Sequence, residues 1–223
     1  MASEPTHQMR EDSPERKKMN LEKLKAKVHP DHTALVIIDM QRDYCCEGGV
    51  LDKLGFDINT PKKLAPRLNE FLNQVRKILK FIVHIKMEQN PHLRSPALAE
   101  HYARVGLQRK VDPSCSEFYG VTPMEGEIVV PKYRYSGFVS TYFDKYLRSN
   151  GIGTLVLTGL ATNVCVESTA RDGFMRDYHI IVPEDMTEGT CPEAKKWSLF
   201  NIDTFFGEVV DSKDLLDCWG VKG

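Results

Sequence analysis

The chain has 223 residues, 41% of them hydrophobic and 27% charged, and 30 basic side chains meet 31 acidic ones for a formal net charge of -1. That length suits one α/β domain or, less comfortably, two small ones, and the charge balance argues against a polyanion-binding surface, which needs a net basic stripe to displace counterions. No apolar run approaches the ~20 residues of a membrane span, and the first thirty residues lack the apolar stretch of a secretory signal. Six cysteines stand at 45, 46, 115, 165, 191 and 218, at no metal-ligand spacing. The expectation is a cytoplasmic protein with reduced thiols.

Residues 1–30 are charged, poor in aromatics and interrupted by proline, which reads as a mobile or loosely docked extension with a helical turn or more from Met19 to Lys27. The domain proper is expected over 31–223. From Thr33 onward apolar runs alternate with helical segments. Ala34 to Ile38 is a nearly unbroken apolar run closed by Asp39, the pattern of a buried parallel strand. Pro61 opens a helix whose Leu64, Leu68, Phe71, Leu72, Val75, Ile78 and Leu79 fall at spacings of three and four, so one face is apolar. Phe81 to Ile85 is the second strand. A long irregular stretch from Glu88 to about Glu125 follows, with a short helix near Ala97 to Arg104, and long loops in a compact domain are usually functional.

Glu127 to Lys132 is a third strand. Ser140 or Thr141 is positioned to cap the next helix, which ends near Gly151. Thr154 to Gly159 is the fourth strand, with a helix from about Asn163 to Asp177. His179 to Pro183, a helix from Pro192 to about Asn201 and a strand at Gly207 to Val210 complete the series. This alternation predicts a three-layer, doubly wound α/β fold with about six mostly parallel strands and helices on both faces.

In such a sheet the ligand site lies beyond the carboxyl ends of the strands, where strand order reverses. Asp39 closes the first strand, Lys132 the third, and Cys165 lies just past the fourth. Singly, a strand-end Asp caps a loop, a Lys is solvated and a Cys fills core. Together they bring an acid, an amine and a thiol toward one cleft. A helix amino terminus and an ammonium favour the reactive thiolate. A neighbouring carboxylate can take the thiol proton and later deliver it to a leaving amine. Backbone N–H groups of the tight turn from Gly159 to Cys165 can hold a developing oxyanion.

Three blocks carry a family resemblance: LVIIDMQ at 35–41, PKYRYSGF at 131–138 and TGLATNVCVESTARDGF at 158–174. They resemble the signature blocks of the isochorismatase-like cysteine hydrolases, over residues 30 to 215. The resemblance implies Asp39, Lys132 and Cys165 as a catalytic triad. It also implies an oxyanion hole from the Ala161 and Cys165 amides and a cis peptide between Leu160 and Ala161. Within the family, PKYRYSGF, LRSNGI, ATNVCVESTARDGF and LFNIDTFFGEV look like the ureidoacrylate amidohydrolases of pyrimidine breakdown, whereas the stretch from Ile85 to Glu117 departs from them. The function implied is cleavage of a linear ureido or carbamoyl C–N bond in a small molecule, with ureidoacrylate first and biuret or an N-carbamoyl amino acid as alternatives. A homodimer or homotetramer is implied likewise. Nicotinamidases of this family carry an Asp-x-His metal motif after the second strand. Here His84 lies inside the strand and His92 lacks the pattern, so no metal and no cofactor are expected.

Further candidates come from position. Arg134 and Tyr135 can present a guanidinium and a phenol to a substrate carboxylate or ureido carbonyl, or simply fill a loop. Gln41 can bind substrate or orient Asp39, and Glu88 and Asn90 stand where a pocket wall would be. Glu167 reads as a partner for Arg171 one helical turn on. A non-catalytic binding or scaffold protein and a redox thiol protein are the competing classes. The first would leave the acid, amine and thiol unused, and the second lacks a resolving cysteine at a motif spacing.

Overall fold

The computed structural model describes residues 14–107 and 113–221. In chain order it has α1 (Pro14–Lys27), β1 (Thr33–Ile38), α2 (Arg42–Cys45), α3 (Val50–Lys53), α4 (Asn59–Val75), β2 (Phe81–Met87), α5 (Pro96–Arg104) and β3 (Ile128–Lys132). The second half holds α6 (Phe143–Ser149), β4 (Thr154–Leu160), α7 (Glu167–Phe174), β5 (His179–Pro183), β6 (Thr187–Glu188), α8 (Pro192–Asn201), β7 (Glu208–Val210) and α9 (Ser212–Cys218). The sheet has seven strands in the order β3-β2-β1-β4-β5-β7, with β6 paired to β4, and every pairing is parallel. The expected α/β sheet is therefore present with one strand more than six. That seventh strand is two residues long, too short for an apolar run to announce it.

Every residue of β1 and of β4 is buried, because these central strands are covered on both faces. Alternation along β1 sends Leu35 and Ile37 into a cluster with Leu64, Leu68, Phe71 and Leu72 of α4. Its other side sends Ala34, Val36 and Ile38 into a cluster with Phe143 and Leu147 of α6 and Ala170 of α7. The helix expected from Pro61 starts two residues earlier: Asp57 accepts the Asn59 amide at 2.9 Å and the Thr60 hydroxyl at 3.2 Å. It ends at Val75, and Leu79 is buried from the turn that follows. Thr141 accepts the Phe143 amide at 3.2 Å as α6 begins, one position before the capping residue Tyr142.

The largest departure lies near the N-terminus. Residues 1–13 of the expected extension fall outside the described residues. The part that follows is seated, not loose: Leu24 and Val28 are buried in the core. Trp219 Nε1 donates to Val28 O at 2.7 Å and Thr154 Oγ1 to Lys27 O at 2.6 Å, while Lys27 pairs with Glu208. Two buried apolar residues among many charges make a weak periodic signal, and their partners lie more than a hundred residues away. Among the described residues no helix is long and apolar enough to cross a membrane.

Candidate active site

Sheet register explains how distant residues meet. Ile38 of β1 lies opposite Ile85 of β2 on one side and Gly159 of β4 on the other. Ile85 lies opposite Val130, and Met87 opposite Lys132. Asp39, Lys132 and the turn after Leu160 thus leave the sheet at one edge, and β1 and β4 are the strands between which the order reverses. The edge is tightly drawn: a Cβ on Gly159 would stand 2.2 Å from Ile38 O, and its φ is +97°, so only glycine fits. Asp39 takes φ +52° as the chain turns off β1.

Lys132 Nζ donates to Asp39 Oδ2 at 2.7 Å, with the two side chains 0% and 1% exposed. It also donates to Arg134 O at 3.2 Å. The Cys165 thiol is buried against both groups. Burial pushes Asp39 above the usual carboxylate range, against the pull of Lys132. Burial works against the Lys132 charge too, but Asp39 and Cys165 outweigh it and hold the ammonium. The thiol is pushed up to about 12, mainly by burial and with Lys132 opposing. Burial thus favours the protonated thiol beside the Lys132–Asp39 pair. This works against the thiolate that a helix start and an ammonium favour: Cys165 sits inside a π-turn, Thr162–Val166, ahead of α7, where desolvation is the largest influence.

Buried hydroxyls hold that turn. Thr169 Oγ1 donates to Cys165 O at 2.7 Å and accepts the Gly137 amide at 3.0 Å. Ser198 Oγ donates to Thr162 O at 3.0 Å, and Thr187 Oγ1 donates to Gly159 O at 2.9 Å. The short strand β6 thus supplies one of the braces. None of these threonines stood out in the sequence, because a buried and an exposed threonine look alike there. The peptide between Leu160 and Ala161 is cis.

A cavity of about 280 Å³ opens over this floor, lined by Asp39, Ala161 and Cys165 below and by residues of the 88–107 stretch above. Four expected binding residues, Glu88, Asn90, Arg134 and Tyr135, line it. Glu88 is paired with Lys86 at 2.9 Å, and Asn90 Oδ1 accepts the His92 amide at 2.9 Å. Arg134 is anchored to the Tyr133 and Leu93 carbonyls at 2.7 and 3.1 Å. Gln41 does not line the cavity. Its amide donates to Met87 O at 3.0 Å and Ser116 O at 3.1 Å and accepts Met87 N–H at 2.8 Å, so its polar groups are consumed in tying β1 to the neighbouring strand and loop. Missing from the sequence reading were Tyr44, Arg94, Tyr102, Asn163 and Thr190, all in the lining. Asn163 and Thr190 bond reciprocally, at 3.0 and 2.9 Å.

Away from the cavity, His84 is fully buried in β2 with its Nε2 2.8 Å from Glu127, which also receives Arg76 at 2.7 Å. Among the described residues no three His, Cys, Asp or Glu side chains are grouped to hold a metal ion. None of the six cysteines forms a disulfide, and Glu167 pairs with Arg171 one helical turn on.

A model of the isochorismatase domain matches residues 33–214. The chain belongs to the isochorismatase-like hydrolase family. Its relatives include the ureidoacrylate amidohydrolase RutB of Klebsiella pneumoniae, 41% identical over 200 residues that cover 82% of this chain and 84% of that protein. Among solved structures, an isochorismatase-like hydrolase from Alkaliphilus metalliredigens is 30% identical with a TM-score of 0.68, covering 84% of this chain and 97% of the other. The N-carbamoylsarcosine amidase of Thermoplasma acidophilum is 28% identical with a TM-score of 0.65, over 81% and 96%. The resemblance carried by the three sequence blocks is borne out, and in this isochorismatase-like hydrolase those blocks supply the cavity floor.

Proposed function

We propose that this hydrolase is a cysteine amidohydrolase that cleaves a linear ureido C–N bond, with ureidoacrylate as its substrate. The observation that carries the reading is the buried Lys132–Asp39 pair, 2.7 Å apart, with the Cys165 thiol against it at the base of a cavity. The names of the amidohydrolase and amidase relatives support the bond class.

A thiol this hard to ionise attacks only if its proton leaves as the S–C bond forms. Asp39, made more basic by burial, takes that proton. The Sγ–carbon bond forms, and the carbonyl oxygen becomes an oxyanion held by the Ala161 and Cys165 amides. Lys132 keeps the site's charge balanced and fixes the carboxylate. Asp39 then returns the proton to the departing nitrogen as the C–N bond breaks, leaving a thioester, here a thiocarbamate. Water, losing a proton to Asp39, adds to that carbon and expels the sulfur, which recovers the proton. From ureidoacrylate the products are aminoacrylate and carbamate, the latter decomposing to ammonia and carbon dioxide. Biuret and N-carbamoyl amino acids present the same reacting group and are the comparison substrates. The expected homodimer or homotetramer is part of this proposal and is measured by sedimentation.

The test is ammonia release from ureidoacrylate, biuret and N-carbamoyl amino acids by the wild type and by Cys165→Ala. The substitution is expected to lower turnover by about 10⁴-fold or more with an unchanged circular dichroism spectrum. A Cys165→Ala protein that still turns over at the wild-type rate removes the thiol as nucleophile.

A further inference from the structure

The roof of the cavity carries a cation that the bond-cleaving chemistry leaves unused. Of the acids in the lining, Asp39 is matched by Lys132 and Glu88 by Lys86, while Asp43 accepts the Val50 amide at 3.2 Å. Two guanidinium groups line the same space, those of Arg94 and Arg134. Arg134 spends its Nη1 on the Tyr133 and Leu93 carbonyls, so it braces the segment from which Arg94 projects. Arg94 is different. Among the described residues it meets no carboxylate, and its guanidinium carbon lies 5.9 Å from the centre of the Tyr102 ring. A contact with an aromatic face spends none of the five N–H donors.

Tyr102 connects this cation to the reacting end of the cavity. Burial raises its phenol to about 12, and the ionisable groups near it include Tyr135, Cys165, Lys132 and Arg94. The ring therefore lies within electrostatic reach of both the thiol and the guanidinium, and all three line the one cavity. A planar cation with unspent donors at the cavity lining suits a carboxylate, which it can grip with two parallel hydrogen bonds. A ureido carbon and a carboxyl carbon four bonds apart span about 5 Å, and Cys165 and Arg94 line the same cavity.

We infer that Arg94 is the receptor for a carboxylate on the substrate, with Tyr102 and Tyr135 walling the path to Cys165, so that the site selects ureido acids over neutral ureido amides. This rests on the amidohydrolase reading for the identity of the reacting end. It adds a specificity residue in the stretch between β2 and α5.

Equilibrium binding separates the two claims. Titration calorimetry on full-length Cys165→Ala protein compares 3-ureidopropionate with its neutral partner, 3-ureidopropionamide. The anion is expected to bind about 10- to 100-fold more tightly. Adding Arg94→Gln should reduce that ratio to within a few-fold of unity, and Arg94→Lys should keep part of it. Arg104→Gln, at the exposed end of α5, should keep all of it. Equal affinities for the two compounds, no binding of the anion, or an intact preference in Arg94→Gln each overturn the assignment. Since no turnover is needed, a wild type that releases no ammonia counts against the amidohydrolase reading alone. A circular dichroism spectrum checks that each variant is folded, and the Arg94→Lys result decides the matter if Arg94→Gln does not fold.

Discussion

At the floor of the cavity Lys132 and Asp39 are 0% and 1% exposed, and Cys165 is held by a ring of buried hydroxyl bonds. At the roof, α5 buries no residue at all, Leu93 is 46% exposed, and the helix is started by a single cap, Ser95 Oγ accepting the Leu98 amide at 3.2 Å. Reaction geometry must be kept within fractions of an ångström, and parallel strands with fixed register provide that. Choice of substrate needs only a few contacts of the right charge and shape, which a lightly packed segment can supply and change without disturbing the fold. The roof can therefore vary where the floor cannot.

Removing the floor's cation should give the largest effect. Lys132→Ala leaves a carboxylate buried without its partner, and breaking such a pair costs about 3–5 kcal/mol. Urea denaturation should show that loss, and turnover should fall by about 10²–10⁴-fold because Asp39 loses its fixed orientation. A variant that keeps both wild-type stability and activity would mean the pair is incidental.

Ionisation at the floor gives a second way to sharpen the contrast. Since Asp39 acts as base when ionised and burial raises its proton affinity, kcat/KM should fall with decreasing pH through a value above the ordinary 3.8. On the alkaline side burial pushes the Cys165 thiol up to about 12, so its alkylation by iodoacetamide should keep accelerating up to the highest pH the fold tolerates. A plateau beginning near pH 8.5, where an ordinary thiol ionises, would contradict a protonated resting nucleophile.

Gln41 shows both what could be read from the chain and where reading stopped. Apolar runs closed by Asp39 and Lys132 were enough to place these residues at strand ends, because burial on both faces leaves an uninterrupted apolar signature. The same reasoning put Gln41 near Asp39, and it is near. It could not say what the amide does, since its partners, Met87 and Ser116, lie 46 and 75 residues away and a glutamine offers the same donors to a backbone as to a ligand. Arg94 and Tyr102 were invisible for a related reason: Arg94 lies in the loop before α5, α5 itself has no buried face to reveal its register, and only folding brings both into one lining with Cys165. Gln41→Ala should cost about 2–3 kcal/mol by stranding buried backbone groups, and should lower activity only through that loss. A large fall in kcat at unchanged stability would return Gln41 to the substrate.

The roof should respond quite differently. Leu98 lines the cavity from α5 but is only half-buried, so Leu98→Ala removes few packing contacts and should cost less than about 1 kcal/mol, well short of the ~2–5 kcal/mol typical of a core leucine. Its effect should appear in KM, raised several-fold as the cavity loses an apolar wall, with kcat nearly kept because the triad is untouched. Steady-state kinetics together with a urea melt separate the two quantities. If Leu98→Ala instead destabilised the fold as a core leucine does, α5 would belong to the same cooperative unit as the sheet, and the division between a rigid floor and an exchangeable roof would fail.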